Sequence, residues 1–224
     1  MENLQIGLKE EPSRVPATTV EQVELDDGRW IRTWKGNIVN VFEPNPETFD
    51  IEDIAHHLSL QCRWLGAVDR HYSVAEHSVN CAILVKEWGG DKKEQLSALL
   101  CDAAEAYMAG LPRPHELSFL DYKELEWTIQ NAINAHFGVP SFHLRDFYYP
   151  LVKSAKEYML NLEAYELFKA FPKCPKFYEE IGPKKETLEG LSFKSQSGGI
   201  LPQEMENLFL YLFDTLAKGK IILN

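Results

Sequence analysis

Arg63, His77, Asp102 and Glu105 are the residues whose types and spacing could do chemistry in this chain. Arg63 lies in QCRWLG, His77 in YSVAEHS, and the two acids in LLCDAAEA. Acids three positions apart share one face of a helix, so Asp102 and Glu105 are expected to face one cavity. A histidine and an arginine arriving from other segments complete a set able to hold a metal ion and a phosphate. Imidazole and carboxylate are metal donors, and guanidinium grips phosphate through two parallel hydrogen bonds. Cys101, beside Asp102, reads two ways: a thiolate joining His77 and Asp102 around zinc, or a small buried hydrophobe. No local base marks it as a nucleophile. His77 has a plain reading too, as a hydrogen-bonded core histidine. The adjacent His56 and His57 point to different faces and do not share a metal.

Helices must position these residues. DIEDIAHHLSLQCRW opens on Asp50 as an N-cap, with acids in its first turn. SVAEHSVNCAILVKEW opens on Ser73 with Glu76 three residues on, a capping box, and stops at Gly89-Gly90. Asp91 and Glu94 repeat that signature ahead of KKEQLSALLCDAAEAYM, expected as one helix carrying both Asp102 and Glu105. A further helix over about 119–137 ends at Gly138, with Pro140 beyond it. DFYYPLVKSAKEYMLNLEAYELFKAF forms a long helix begun or bent near Pro150, and PQEMENLFLYLFDTLAKG closes as an amphipathic helix. Ahead of them, VEQVELDDGRWIRTWKGNIVNVF alternates apolar and polar residues around DDG and KGN, as a hairpin or three-stranded ribbon does. The expected fold is mainly α with a short N-terminal β-hairpin or ribbon. Its divisions are a flexible arm over 1–18, a ribbon over 19–48 and a helical domain over 49–224. Within that domain, 171–200 is a surface loop and 201–220 the closing helix.

Composition narrows the function classes. The chain has 224 residues, long enough to bury a substantial core, and a net charge of -11. That charge argues against nucleic-acid polymers, which need clustered Lys and Arg, but leaves room for a single phosphate in a local basic pocket. Cys62, Cys81, Cys101 and Cys174 show no zinc-type spacing and read as free thiols. With no apolar leader and no membrane-spanning run, a cytoplasmic protein is expected.

The stretches WIRTWKGNIVNVFEPNPETFDIEDIAHHLSLQCRWLG, RHYSVAEHSV, ALLCDAAEAYMAGLPRP and VKSAKEYMLNLEAYEL resemble HD-domain phosphohydrolases in content, order and separation. The branch is the 5'-deoxynucleotidase-like one common in phages and bacteria. The resemblance runs from about residue 29 to 168 and implies the HD-domain helical bundle. Such enzymes hold one divalent metal with a histidine of the AEHS helix, an adjacent His-Asp pair and a later aspartate. An arginine holds the phosphate, and a glutamate helps position the attacking water. Carried over, the metal ligands kept are His77 and Asp102, the phosphate-binding residue is Arg63 and the catalytic glutamate is Glu105.

Other positions depart from the pattern. Cys101 stands at the motif histidine. Lys156 stands where an aspartate is expected, placed by Val152-Lys153 and by Glu163 seven residues on. Ala109-Gly110 replaces a Gly-Asp, and Gly66-Ala67 a Gly-His. An ammonium at 156 would repel a divalent ion, by about 4 kcal/mol per pair of unit charges at about 4 Å and moderate dielectric. The expectation is therefore a nucleotide or another phosphorylated small molecule, bound by Arg63 and Lys156 in a metal-free anion clamp, with hydrolysis lost or much reduced and no cofactor. The alternatives are an active nucleoside-monophosphate phosphohydrolase with one manganese, cobalt or zinc ion in a rearranged ligand set, or a scaffold for an unidentified protein partner. No membrane partner is expected, and the resemblance allows a homodimer.

Overall fold

A computed structural model describes residues 28–112, 115, 118–140, 149–168 and 199–217. The arm expected over 1–18 lies outside the described residues, as do the first part of the ribbon, the loop over 171–198 and the last turn of the closing helix.

Two short strands, β1 (Trp30–Arg32) and β2 (Ile38–Asn40), pair antiparallel with Ile31 opposite Val39. The turn between them closes where Thr33 N donates to Asn37 O at 2.9 Å, with Gly36 at φ 91. A side chain at that φ would be strained, so glycine suits the position. The hairpin docks on α1 (Ile51–Leu60) through one acid: Asp53 accepts from Lys35 N at 2.7 Å and from Asn37 Nδ2 at 2.9 Å. Asp50 caps α1 as its sequence implies, accepting from Glu52 N.

The remaining helices are α2 (Val74–Glu87), α3 (Lys92–Leu99), α4 (Glu105–Met108), α5 (Leu120–Phe137), α6 (Pro150–Phe168) and α7 (Pro202–Ala217). The described part is thus mainly helical with one short hairpin. Helix α2 is the centre: every residue from Val74 to Ala82 is buried, and α1, α3, α6 and α7 all touch it. A helix apolar on most sides belongs inside a bundle. Its Val79, Leu84 and Val85 belong to one core cluster with Ile54, Leu58, Leu99, Met159 and Phe209. Each such side chain contributes roughly 1.5–3 kcal/mol on burial. Ser73 caps α2 through Glu76 N, while the Glu76 carboxylate takes Arg70 at 2.9 and 3.0 Å. The full capping box forms at Asp91 and Glu94, and Gly138 ends α5 in the left-handed region at φ 69.

One expectation fails. The stretch from Lys92 to Met108 is two helices, because Leu100 to Ala104 leaves the α-helical path. The turn is tight, with Ala103 N donating to Leu100 O and Glu105 N to Asp102 O. Gln130 of α5 supplies the physical reason. Its Nε2 donates to Leu100 O at 2.8 Å and its Oε1 accepts from Ala104 N at 3.0 Å. Those two backbone groups would bond each other in a continuous helix. A side chain inserted there breaks the ladder and re-aims Cys101 and Asp102. Among the described residues, no helix is long and apolar enough to cross a membrane.

Candidate functional site

Arg63 is presented by a strained turn. Cys62 bridges to Ser73, Arg63 N donates to Tyr72 O at 2.8 Å, and Val74 N donates to Gln61 O at 3.0 Å. Trp64 and Leu65 then adopt φ 58 and 54. The left-handed region costs a non-glycine residue on the order of 1–2 kcal/mol, and such strain persists where surrounding contacts over-determine it. Here the contacts are to Glu163: Arg63 Nε donates to its Oε2 at 3.1 Å and Trp64 Nε1 to the same oxygen at 3.2 Å.

Glu163 and Lys156 lie seven residues apart on α6, two turns along one face. Glu163 is fully buried, and its other oxygen accepts from Tyr72 Oη at 3.0 Å and from His77 Nδ1. Four donors thus fill the lone pairs of one carboxylate. Burial pushes this carboxyl up, but Arg63 and His77 outweigh it, and the group sits below its usual range. His77 is on the core face of α2. Burial and Arg63 act to lower it, yet Glu163 and its hydrogen bonds raise it to about 9.

Asp102 closes the other side. Its Oδ1 accepts from Lys156 Nζ at 2.5 Å, while its Oδ2 lies 3.3 Å from His77 Nε2 and 3.6 Å from Arg63 Nη1. Burial opposes ionisation of Asp102, and Lys156, His77 and Arg63 overcome it to hold the carboxyl far below its usual range. Exposure is graded across the group. The side chains of Lys156 and Arg63 are 26% and 16% exposed, against 2% for His77 and 0% for Glu163. The two permanent cations are thus more exposed than the buried carboxylates of Asp102 and Glu163 and the His77 imidazole.

Glu105 begins α4, with Gly110 so close that an added Cβ would fall 2.3 Å from its Oε2. Burial and the charge of Asp102 push Glu105 up to about 8. On the inner side, Cys81 Sγ lies 3.4 Å from His77 Nε2, one helical turn along α2. Cys81 and Cys101 are both buried and free, and Cys62 is also free. Cys174 lies outside the described residues. The donor atoms of His77, Cys81 and Cys101 fall within 4.8 Å of one another, a group that could hold a metal ion.

The structure brings Arg63, His77, Cys101, Asp102, Glu105 and Lys156 to one place, from four separate segments. The expected histidine faces also hold: His56 bonds Glu206 at 3.0 Å, and His57 bonds Ala106 O at 2.7 Å. Sequence reasoning passed over Glu163 and Cys81. An acid among Leu162, Ala164 and Leu167 on an apolar face, and a cysteine four residues after His77, were the available signals. The residues do not fit the hydrolytic divalent centre that the resemblance implies. Lysine holds one oxygen of the carboxylate that should bind the ion, and a thiol stands at the motif histidine.

No family model matches the chain. It is 35% identical over 111 residues to the uncharacterized protein YfdR of Escherichia coli strain K12, an alignment covering 50% of this chain and 60% of that protein. It is 35% identical over 121 residues to the uncharacterized protein RCAP_rcc00048 of Rhodobacter capsulatus, with the same coverage of 50% and 60%. The chain thus spans about 60% of the length of these curated relatives.

Proposed function

We propose that the chain is an HD-domain phosphohydrolase-like protein that binds a nucleotide or another phosphorylated small molecule without hydrolysing it efficiently. The observation that supports this reading is the Lys156 ammonium seated on Asp102, with the Arg63 guanidinium beside the other carboxylate oxygen. Both cations are more exposed than Asp102, His77 and Glu163, so they are the groups more accessible to an incoming phosphate. Lysine and arginine supply the charge and donors that a phosphomonoester needs. What is missing is an activated nucleophile. A lysine-bound Asp102 is a poor ligand for a water-activating ion.

The test pairs affinity with turnover. Calorimetric titration with deoxynucleoside and nucleoside monophosphates is expected to give saturable binding in EDTA. Phosphate release with manganese, cobalt or zinc is expected to stay at the buffer rate. Metal-dependent release abolished by Asp102→Ala would establish an active phosphohydrolase instead. Absence of any binding across the panel would remove the nucleotide reading.

A further inference from the structure

The phosphate reading uses neither Cys81 nor Cys101, yet the fold places their sulfurs together. We infer that the two residues are a peroxide-oxidisable dithiol, closing to an intramolecular disulfide that ties α2 to the turn carrying Asp102.

Geometry carries the inference. The two sulfurs and His77 Nε2 all lie within 4.8 Å of one another, and each thiol is a hydrogen-bond neighbour of the other. Both thiols are free. A disulfide needs about 2.05 Å between its sulfurs and about 3.5–4.5 Å between its β-carbons. Rotation about χ1 swings each sulfur around its own Cβ between staggered wells, which is the movement that closes the remaining gap. The two backbones differ in how far they can yield. Cys81 is fixed on the buried central helix α2, whereas Cys101 lies in the turn from Leu100 to Ala104 that leaves the α-helical path. Gln130 holds that turn at Leu100 O and Ala104 N, on either side of Cys101, and the Cys101 amide makes a long bond of 3.4 Å to Ala98 O. Cys62, in the bridge to Ser73, is outside the group.

The order of the chemistry follows from exposure. Cys101 is 6% exposed and Cys81 0%, so Cys101 is the more accessible thiol. Peroxide transfers one oxygen to the Cys101 sulfur: an S–O bond forms, the O–O bond breaks and one water leaves, giving the sulfenic acid. The Cys81 sulfur then attacks the Cys101 sulfur. The S–S bond forms, the S–O bond breaks, and the hydroxyl leaves as a second water with the Cys81 proton. Two thiols thus give two electrons to one peroxide, which ends as two waters. A second thiol already beside the first makes the closing step unimolecular, and this lets it outpace further attack by peroxide.

The test uses the full chain in EDTA, freed of reductant and treated with stoichiometric hydrogen peroxide while folded. Alkylation with N-ethylmaleimide in denaturant, followed by mass spectrometry, counts the remaining thiols. The reduced chain has four cysteines to alkylate, and the oxidised chain is expected to lose two of them. Peptide mapping is expected to find Cys81 linked to Cys101, with dithiothreitol restoring both. Cys81→Ser should leave a sulfenic acid at Cys101 that dimedone captures, and Cys62→Ser should leave the link unchanged. Circular dichroism identifies any variant that fails to fold, and the wild-type map carries the test without variants. A folded wild-type chain that keeps both thiols alkylatable under excess peroxide would overturn the proposal. So would Cys101 passing to sulfinic acid while Cys81 stays a thiol, or Cys101 linked to Cys62 or Cys174. None of these readouts involves a nucleotide, so this site and the phosphate reading can fail separately.

Discussion

Lys156 places its ammonium 2.5 Å from one carboxylate oxygen of Asp102, while His77 and Arg63 approach the other oxygen. The aspartate is therefore shared by three nitrogen groups, Lys156 on one oxygen and His77 with Arg63 on the other. The charges of Lys156 and Arg63 are permanent, because lysine and arginine stay protonated across the physiological range.

Reversing that cation should weaken phosphate ligands. Lys156→Asp, and Lys156→Met, which keeps the length and drops the charge, are each expected to reduce affinity for a nucleoside monophosphate at least about tenfold, or about 1.4 kcal/mol. Lys156→Asp should do so more strongly, because it adds repulsion to the lost attraction. Titration calorimetry at one fixed ionic strength makes the comparison. Unchanged affinity in both variants would remove Lys156 from the binding surface.

Gln130 is expected to matter for stability more than its distance in sequence from the site suggests. It is buried, and its amide serves Leu100 O and Ala104 N, with a third bond to Asn134 Oδ1 at 3.0 Å. Gln130→Leu keeps the bulk and leaves those groups without their partner. Each unsatisfied buried group costs about 1–3 kcal/mol. Urea unfolding should show a loss of roughly 2–4 kcal/mol. A loss below about 0.5 kcal/mol would mean that the turn from Leu100 to Ala104 is held by other contacts.

The elements were largely legible because their ends are written in local chemistry. Asp50, Ser73 and Asp91 cap the helices that follow them, and Gly138 stops another, each by a bond within a few residues. The break at Leu100 was not legible, since its cause is a side chain some thirty positions away. Local propensity across SALLCDAAEAYM favours one helix, and a tertiary hydrogen bond overrides it. Lys156 could be placed because Val152, Lys153 and Glu163 fix the register of its helix. Glu163 was passed over as a site residue for the same kind of reason as the break. An isolated acid on an apolar helix face acquires meaning only when Arg63, Trp64, Tyr72 and His77 arrive from elsewhere.

Glu105 should make the fold sensitive to alkali. Its folded pKa, about 8, lies above the ordinary value of 4.5, chiefly through burial and then the charge of Asp102. Burial of the neutral acid is therefore fully tolerated below about pH 4.5, and stability is lost as pH rises through about 8. Glu105→Gln removes that titration. The variant should gain on the wild type progressively between about pH 5 and about pH 9, by on the order of 1 kcal/mol or more. Urea midpoints for both proteins across that range decide it. A difference that stays constant with pH would show that Glu105 does not carry the raised pKa.

Glu163 is expected to be the most expensive charge to neutralise. It is the shared counter-ion of Arg63 and His77, all three buried or nearly so, and removing one partner leaves the others uncompensated. Breaking such a cluster costs about 3–5 kcal/mol. Glu163→Gln should lower stability by about that amount at neutral pH. The alkaline limb should move as well. His77, raised to about 9 from 6.5, contributes stability that is complete below about pH 6.5 and lost as pH rises through about 9. Without Glu163 that elevation shrinks, so the difference between wild type and variant should narrow between about pH 7 and about pH 10. The acid limb behaves oppositely, because the Glu163 carboxyl is depressed: its contribution fades as pH falls below the ordinary carboxylate range. A gap between the two proteins that is flat from acid to alkali would mean that Glu163 acts through packing alone.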